Sequence, residues 1–483
     1  MLTSFTIPVK YIILLIILCK VCKSYNLPQQ SPKSAPKLPS SSGSSPPTSK
    51  PSSIGSYEKC YDDDDVANGH LSDSPSEYSR TLISGLHKFS IDILRSLHNF
   101  ESKDSSPGLI LSPFSIWSAL LVSYMGARHE TDRELRSVLG LNNVPKHAVG
   151  MAYQGLRFWY QLKRNVSLVT KETSKKQAYS IANKIFINDA LTLNDCIKQH
   201  FATEAESMDF TSNPGGALKA INSWIEEETH GKIKDLIPPG SVTQWTTIII
   251  ANAIYFHAKW YNQFDASKTE IGTFHVTPVE SIQIPFMKLT ANLMYGVSEA
   301  LRCTVLELPY ANQDFSMLIL LPDASKGVDS LVRQLKPSHL EDVVANMFDD
   351  EISVVLPKFK AEQELELSGP LYSMGIMKLF DPRFADLSGF FQPASANKNG
   401  KNKNTTHELQ TKGITVNSVV HKVYVSVNEE GTEAAASTAI LIARSGRPAF
   451  PTRFVVNRPF LFLIRDTATN VILFIGIVRR PYE

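Results

Sequence analysis

The chain has 483 residues, is 43% hydrophobic and carries a formal net charge of +2 at pH 7. That length and apolar content support a large core and about one to three domains. The near-neutral balance gives no electrostatic footprint for nucleic acid, and no period of roughly 20–50 residues repeats, which excludes a solenoid or propeller.

In chain order, residues 1–24, "MLTSFTIPVKYIILLIILCKVCKS", place a lysine before the apolar run Tyr11–Leu18 and end on the small residue Ser24. That is the pattern of a secretory signal. The run is shorter than the roughly 20 residues a bilayer span needs, and no later run is long enough. The expected protein is therefore secreted and extracellular, with no membrane partner. Loss of Lys10, Lys20 and Lys23 takes the net charge from +2 to −1 (2 − 3). Cys60, Cys196 and Cys303 then remain. An odd number is no disulfide framework; it allows one pair and one free thiol without saying which.

Residues 25–78 read as a low-complexity extension. Its 27–56 stretch, mostly Ser, Pro, Lys and Gly, cannot bury enough apolar area to offset its ordering entropy. The acidic block Asp62–Asp65 follows. Residues 79–483 read as the folded domain. Leu82, Leu86, Phe89, Ile93 and Leu97 recur at helical spacing. "LSPFSIWSALLVSYMGA" predicts a helix capped by Ser112 with Pro113 at its first position. "ALKAINSWIEEETHGKIKDLI" predicts another, stopping near Gly231. "TTIIIANAIYF" (246–256) is a continuous apolar run, as in a strand buried on both faces. "FSMLILLPD", "EISVVLP" and "KVYVSV" read as strands, and "RPFLFLIRDTATNVILFIGIV" as two strands around a polar turn. The polar insert 395–406 reads as a surface loop. The class is α+β.

Motifs for catalysis are missing. "GVSEA" (296–300) approximates a nucleophile elbow without the strand–turn–helix context. "HETDRE" (129–134) lacks the second histidine of a zinc protease. There is no CxxC pair with histidines, no phosphate loop and no dinucleotide fingerprint, so neither a metal nor a cofactor is expected. A lone histidine such as His421 reads as a packed, hydrogen-bonded core residue. The sequence gives no reason to propose an enzyme.

The stretch "EEGTEAAASTAILIARSGRPAF" (429–450) fits more than one element. Read as a strand, one face carries Thr432, Ala434, Ala436, Thr438, Ile440 and Ile442. That face is small, then aliphatic, and uncharged. The other face carries the only charge, Glu433. Read as a helix, the three alanines and Glu433 near the start are equally suitable. Gly446, Pro448 and Pro451 end either element and leave Arg444 and Arg447 on an exposed stretch.

"VNEEGTEAAASTA" resembles the hinge of the reactive loop in serpins, a family of protease inhibitors. "LSPFSIWSALLVSYMGA", "INSWIEEETHGKIKDLIP", "ANAIYFHAKW", "LELPYANQDFSMLILLPD", "LPKFK", "VVHKVYVSVNEEGTEAAAS" and "NRPFLFLIRD" also resemble serpin segments, in serpin order, over about residues 79–483. The resemblance implies three β-sheets, about nine helices and an exposed reactive-centre loop. It implies an inhibitor that traps a protease as a covalent acyl-enzyme when the cut loop inserts into the central sheet. Glu429, Glu430, Gly431, Thr432, Glu433, Ala434, Ala435 and Ala436 would form the hinge, whose inward members must be small and uncharged to slide between strands.

By the same resemblance, Ser112, Ser115, Asn252 and His421 match the buried polar cluster called the shutter. Trp260 and Glu429 match the breach, where the loop first enters. The commonest family spacing from Gly431 places the scissile bond after Ser445. A loop one residue shorter places it at Arg444–Ser445, which suits the acidic pocket of a trypsin-like protease. Arg447 is disfavoured because Pro448 follows it. The implied partner is a trypsin-like serine protease met by a monomer; the alternatives are a carrier without inhibition or an inhibitor of papain-like cysteine proteases. Asn165 and Asn404 head glycosylation sequons. Lys163, Arg164, Lys171, Lys175 and Lys176 lie where some serpins bind heparin-like polysaccharide, although a solvated face is the plainer reading.

Overall fold

The protein is described from a computed structural model, which covers residues 75–101, 107–142, 144–169, 178–392, 414–431 and 451–482. Two compact units divide the chain: Met1–Thr81 with Asn143–Trp159, and Leu82–Asn142 with Tyr160–Glu483. Of the first unit, the start of helix α1 (Pro75–Phe100) and most of α4 (Lys146–Val169) are described. All that follows concerns the second.

Leu82, Leu86, Phe89, Ile93 and Leu97 are buried along α1, as their spacing predicts. Helix α2 (Pro113–Gly126) begins where the cap signal places it: the Ser112 hydroxyl accepts the Ser115 N–H at 3.3 Å, and Pro113 takes the first turn. Every residue of α2 is buried, so it is a core helix without a polar face. Helices α3 (His129–Val138), α5 (Asp195–His200) and α6 (Pro214–Glu228) follow. α6 ends just before Gly231, whose φ is +74°, a conformation that suits glycine.

A five-stranded sheet has the order β10-β11-β4-β2-β3. Its strands are β2 (Ala178–Asn188), β3 (Ala205–Met208), β4 (Ile248–His257), β10 (Phe359–Glu366) and β11 (Val416–Val427). β4 sits at the centre. Ile249, Ala251 and Ala253 face α6, packing with Ala217, Ile221 and Ile225 of that helix and Phe186 of β2. Ile250 and Ile254, on the other face, are equally buried. This is the two-faced burial that the Ile-rich run predicts. β4 and β11 run parallel, from Val416↔Ile248 to Tyr424↔Tyr255.

The remaining strands are β1 (Gly108–Leu111), β5 (Glu270–His275), β6 (Ser281–Ser298), β7 (Cys303–Pro309), β8 (Phe315–Pro322), β9 (Phe348–Pro357), β12 (Thr452–Val455), β13 (Phe460–Asp466) and β14 (Ile472–Val478). They form one hydrogen-bonded sheet of nine, not two sheets. The reason is β6, which is 18 residues long. From Phe286 to Tyr295 it pairs with β9, and from Tyr295 to Ser298 with β7, so one strand joins what the family pattern counts as two sheets. Nine α-helices are present among the described residues, completed by α7 (Gly327–Gln334), α8 (Pro337–Asn346) and α9 (Ser368–Met374). β12 is held only at the sheet edge, parallel to β9.

Cys196 is disulfide-bonded, to a partner outside the described residues. Among the described residues Cys303 is a free thiol; burial, with Asp323 nearby, pushes it up to about 12.

Lys163 corrects one expectation. It does not offer a cation to an external polysaccharide. It turns inward, its ammonium paired with the fully buried Asp466 and over the Phe315 ring at 4.9 Å. Arg164 lies in the same helix with its side chain outside the description, and Lys171, Lys175 and Lys176 fall outside it altogether. Replacing Lys163 would leave the Asp466 carboxylate buried with only the Ala468 and Thr469 N–H groups. Lys163→Ala should therefore cost about 3–5 kcal/mol, read as a loss of the urea midpoint at unchanged slope. A change within ~0.5 kcal/mol would show that the pair is inert.

Candidate functional site

The parallel ladder between β4 and β11 carries a row of polar side chains across the sheet. His421 is opposite Asn252, and Asn252 is opposite Asn183 of β2. The capped start of α2 meets this row from one side. The Ser112 N–H donates to His421 Nε2 at 3.0 Å, and His421 Nδ1 bonds to Asn252 Oδ1. Asn252 Nδ2 donates to Ser115 Oγ at 2.8 Å and to Asn183 Oδ1 at 2.7 Å; Ser115 Oγ in turn donates to Asn183 at 2.5 Å. Ser112, Ser115, Asn252 and His421 are all buried. With Nε2 accepting and Nδ1 donating, the imidazole is neutral. A second proton would set N–H against N–H at Ser112. Burial accordingly lowers the His421 pKa to about 3.

At the end of the same two strands the chain reverses. Asn428 N–H donates to Gly431 O at 2.9 Å, and the Asn428 side chain accepts from Glu430 and Gly431, each at 3.2 Å. The turn is clamped to the segment after β4. Trp260 N–H donates to Glu430 O and Phe264 N–H to Glu429 O, both at 2.8 Å. Trp260 Nε1 donates to Asn428 O at 2.9 Å, and its ring lies on Tyr310, 4.6 Å apart and 10° from parallel. The Glu429 carboxylate takes Thr269 Oγ1 at 2.8 Å and Lys358 at 3.4 Å. Gly431 has φ +134°, and a Cβ there would lie 2.0 Å from Ala258 O. No side chain fits.

Gly431 forms antiparallel bridges on both sides, to Lys259 just past β4 and to Asn428 just past β11. It therefore occupies the position of a first rung between the two strands, although they are still paired to each other below it.

A family model described as Serpin (serine protease inhibitor) matches residues 84–481. The chain belongs to the serpin family. "Serine protease inhibitor 88Ea" of Drosophila melanogaster is 30% identical over 417 residues, which are 83% of this chain and 91% of that one. Human "Serpin B4" is 32% identical over 404 residues, covering 82% and 98%. The solved structure of Serpin48, described as a highly specific serpin in the insect Tenebrio molitor, has a TM-score of 0.65 at 28% identity, covering 85% of this chain and 99% of that one.

For this serpin, the four residues matched to the shutter stand in one hydrogen-bonded network, and Trp260 and Glu429, matched to the breach, meet at the Asn428–Gly431 turn. Asn183, Asn428, Lys358, Thr269 and Tyr310 belong to these clusters and were not singled out by sequence. Only the strand register reveals them. Thr432 to Ala436, Arg444, Ser445 and Asn404 lie outside the described residues; Asn165 lies within α4, its side chain undescribed. Among the described residues no group of three or more His, Cys, Asp or Glu is placed to hold a metal ion, and no helix is long and apolar enough to cross a membrane.

The shutter gives a pH prediction. Unfolded, the imidazole takes a proton near 6.5; folded, only near 3. Between these values the unfolded state binds more protons, so stability is full above 6.5 and falls as pH drops. The slope this group contributes is at most about 1.4 kcal/mol per pH unit. Urea melts from pH 7.5 to 4.5 check it. His421→Gln should start less stable and decline more gently with acid; parallel declines would mean that His421 is not the titrating group.

Proposed function

We propose that this serpin is a secreted, monomeric suicide-substrate inhibitor of a trypsin-like serine protease. The observation that supports it best is the double bridge of Gly431. A strand continuing from there runs antiparallel to both β4 and β11. Insertion would replace one parallel ladder, the weaker kind per residue, with two antiparallel ladders. Each new hydrogen bond contributes roughly 0.5–1.5 kcal/mol, and Ile440 and Ile442 add about 1.5–3 kcal/mol each when buried.

The reactive bond is Arg444–Ser445. The protease's serine attacks the Arg444 carbonyl, the Ser445 amine leaves, and Arg444 stays esterified to the enzyme. Insertion of the hinge from Thr432 onward then drags the enzyme away before water completes hydrolysis. The small, uncharged inward face of the hinge supports inhibition over a carrier role. Lys232 closes the parallel ladder from outside, its ammonium over both Tyr255 and Tyr424 at 5.9 and 6.0 Å, and insertion would have to break that clasp.

The decisive experiment incubates the mature chain with trypsin-like and papain-like proteases and looks for a complex that survives SDS. Arg444→Ala should abolish the complex with trypsin-like enzymes and Arg447→Ala should retain it. The peptide released from the complex should begin at Ser445; a start at Gly446 would make Ser445 the bait. Thr432→Arg buries an unpaired charge on insertion, so its inhibition rate should fall at least about 100-fold, equivalent to ~2.7 kcal/mol, while Arg444 remains cleavable. Complex formation at the unmodified rate would refute the assignment of the inward face.

A further inference from the structure

A cleft of about 830 Å³ opens between the β5–β6 turn, the segment leading into α7, and residues 457–459 that follow β12. That volume lies in the range of small-molecule sites. Lys326, Arg458, Arg479 and Arg480 line it, as do the carboxylates of Glu280, Asp323 and Asp329.

The charges do not cancel. Glu280 is bonded to Arg480. Asp329 takes Arg479 at 2.8 Å and His98 at 2.7 Å, which hold its carboxyl well below the usual range. Arg479 also reaches Glu101 at 3.3 Å. Asp323 takes Arg302 at 3.3 Å. Each carboxylate of the cleft thus has its cation.

Arg458 and Lys326 have no ion-pair partner within 4 Å among the described residues. Arg458 donates from Nε to Pro322 O at 2.8 Å and from its terminal nitrogen to Asn457 Oδ1 at 3.5 Å, both neutral acceptors. It is half-buried, and burial lowers its pKa despite the nearby Asp323. Lys326 is exposed and makes no ion pair among the described residues. A partly desolvated guanidinium whose hydrogen bonds go only to neutral acceptors, lining the same polar cleft as an exposed ammonium, is an arrangement that an anion relieves.

We propose that this cleft binds a tetrahedral oxyanion, a sulfate or phosphate ester on a sugar-sized molecule, with Arg458 and Lys326 as its charged contacts. A sulfate ester carries one negative charge and a phosphate ester between one and two near neutral pH, so either would meet Arg458 and Lys326, and the volume leaves room for the attached sugar. Arg458 follows β12 by three residues, and the carbonyl of Asn457 accepts the His275 N–H at 2.8 Å. The ligand would therefore add a contact between the exit of β12, already tied to β5 through Asn457 and to Pro322 through Arg458, and the segment before α7.

The test is calorimetric titration of the mature chain with glucose 6-sulfate, glucose 6-phosphate and glucose, at ionic strength held constant with sodium chloride. Keeping the esters at or below about 10 mM separates binding from the general salting-in-structure effect of sulfate. Saturable binding of one or both esters, and none of glucose, is expected; which ester binds tighter identifies the source chemistry. Arg458→Gln should weaken binding at least about tenfold, since a charge-assisted hydrogen bond to the anion is lost. Lys326→Gln, an exposed change that leaves the fold intact, should weaken it about threefold, and carries the test should Arg458→Gln misfold by circular dichroism. No saturable isotherm with either ester, or a Lys326→Gln variant that binds as tightly as the unmodified chain, would overturn the proposal.

Discussion

The parallel ladder between β4 and β11 holds the five-stranded sheet together near its centre, and a buried network of Ser112, Ser115, Asn252 and His421 lies across it. A parallel pair at the middle of a sheet is satisfied but improvable, because the same backbone groups would form straighter antiparallel bonds with a strand placed between them. On the proposed reading that strand would start at Gly431, which is already bridged on both sides. The His421–Asn252 pair lies across the ladder at mid-length, so separating the strands means breaking a hydrogen bond between two fully buried side chains.

Two devices hold the ladder together. At one end the Asn428–Gly431 turn is clamped by Trp260, stacked on Tyr310, and by the Glu429–Lys358 pair. Along its length the neutral imidazole of His421 accepts from the start of α2. A fully apolar row would pack as well but would have no preferred register; the hydrogen bonds fix which residue of β11 faces which residue of β4. The network therefore sets both the closed state and what its opening requires.

Much of this was legible beforehand. The Ile-rich run of β4, the Ser112 cap and the two closing strands each carry a local signal: two-faced burial, capping chemistry or a polar turn. The segment after Gly431, which fits both helix and strand in sequence, lies outside the described residues, so the choice between the two rests on the family pattern alone. What the sequence withheld was register. Asn183 looks like any strand asparagine until β2 is laid against β4. Asn428 looks like a turn residue until Trp260 is seen donating to it. Lys163 was misread for the same reason: a lysine in a basic stretch reads as solvated, and only the fold brings Asp466 beneath it. Helices α7, α8 and α9 were passed over because 7 to 10 residues give too few turns for a periodic signal. The merging of two expected sheets depends on the pairing of β6 with two different partners, which no local pattern encodes.

The central claim is that the segment after Gly431 becomes a strand between β4 and β11 once it is cut. Cleaving the loop with a protease that does not form a complex, then comparing thermal unfolding of cut and intact chains, tests it without reference to any target. About ten new rungs at the lower end of the hydrogen-bond range give ~5 kcal/mol or more, so the cut chain should melt about 10 °C higher or more. A cut chain that melts at or below the temperature of the intact one would show that the loop stays outside, and the account of the ladder as an insertion site would fall.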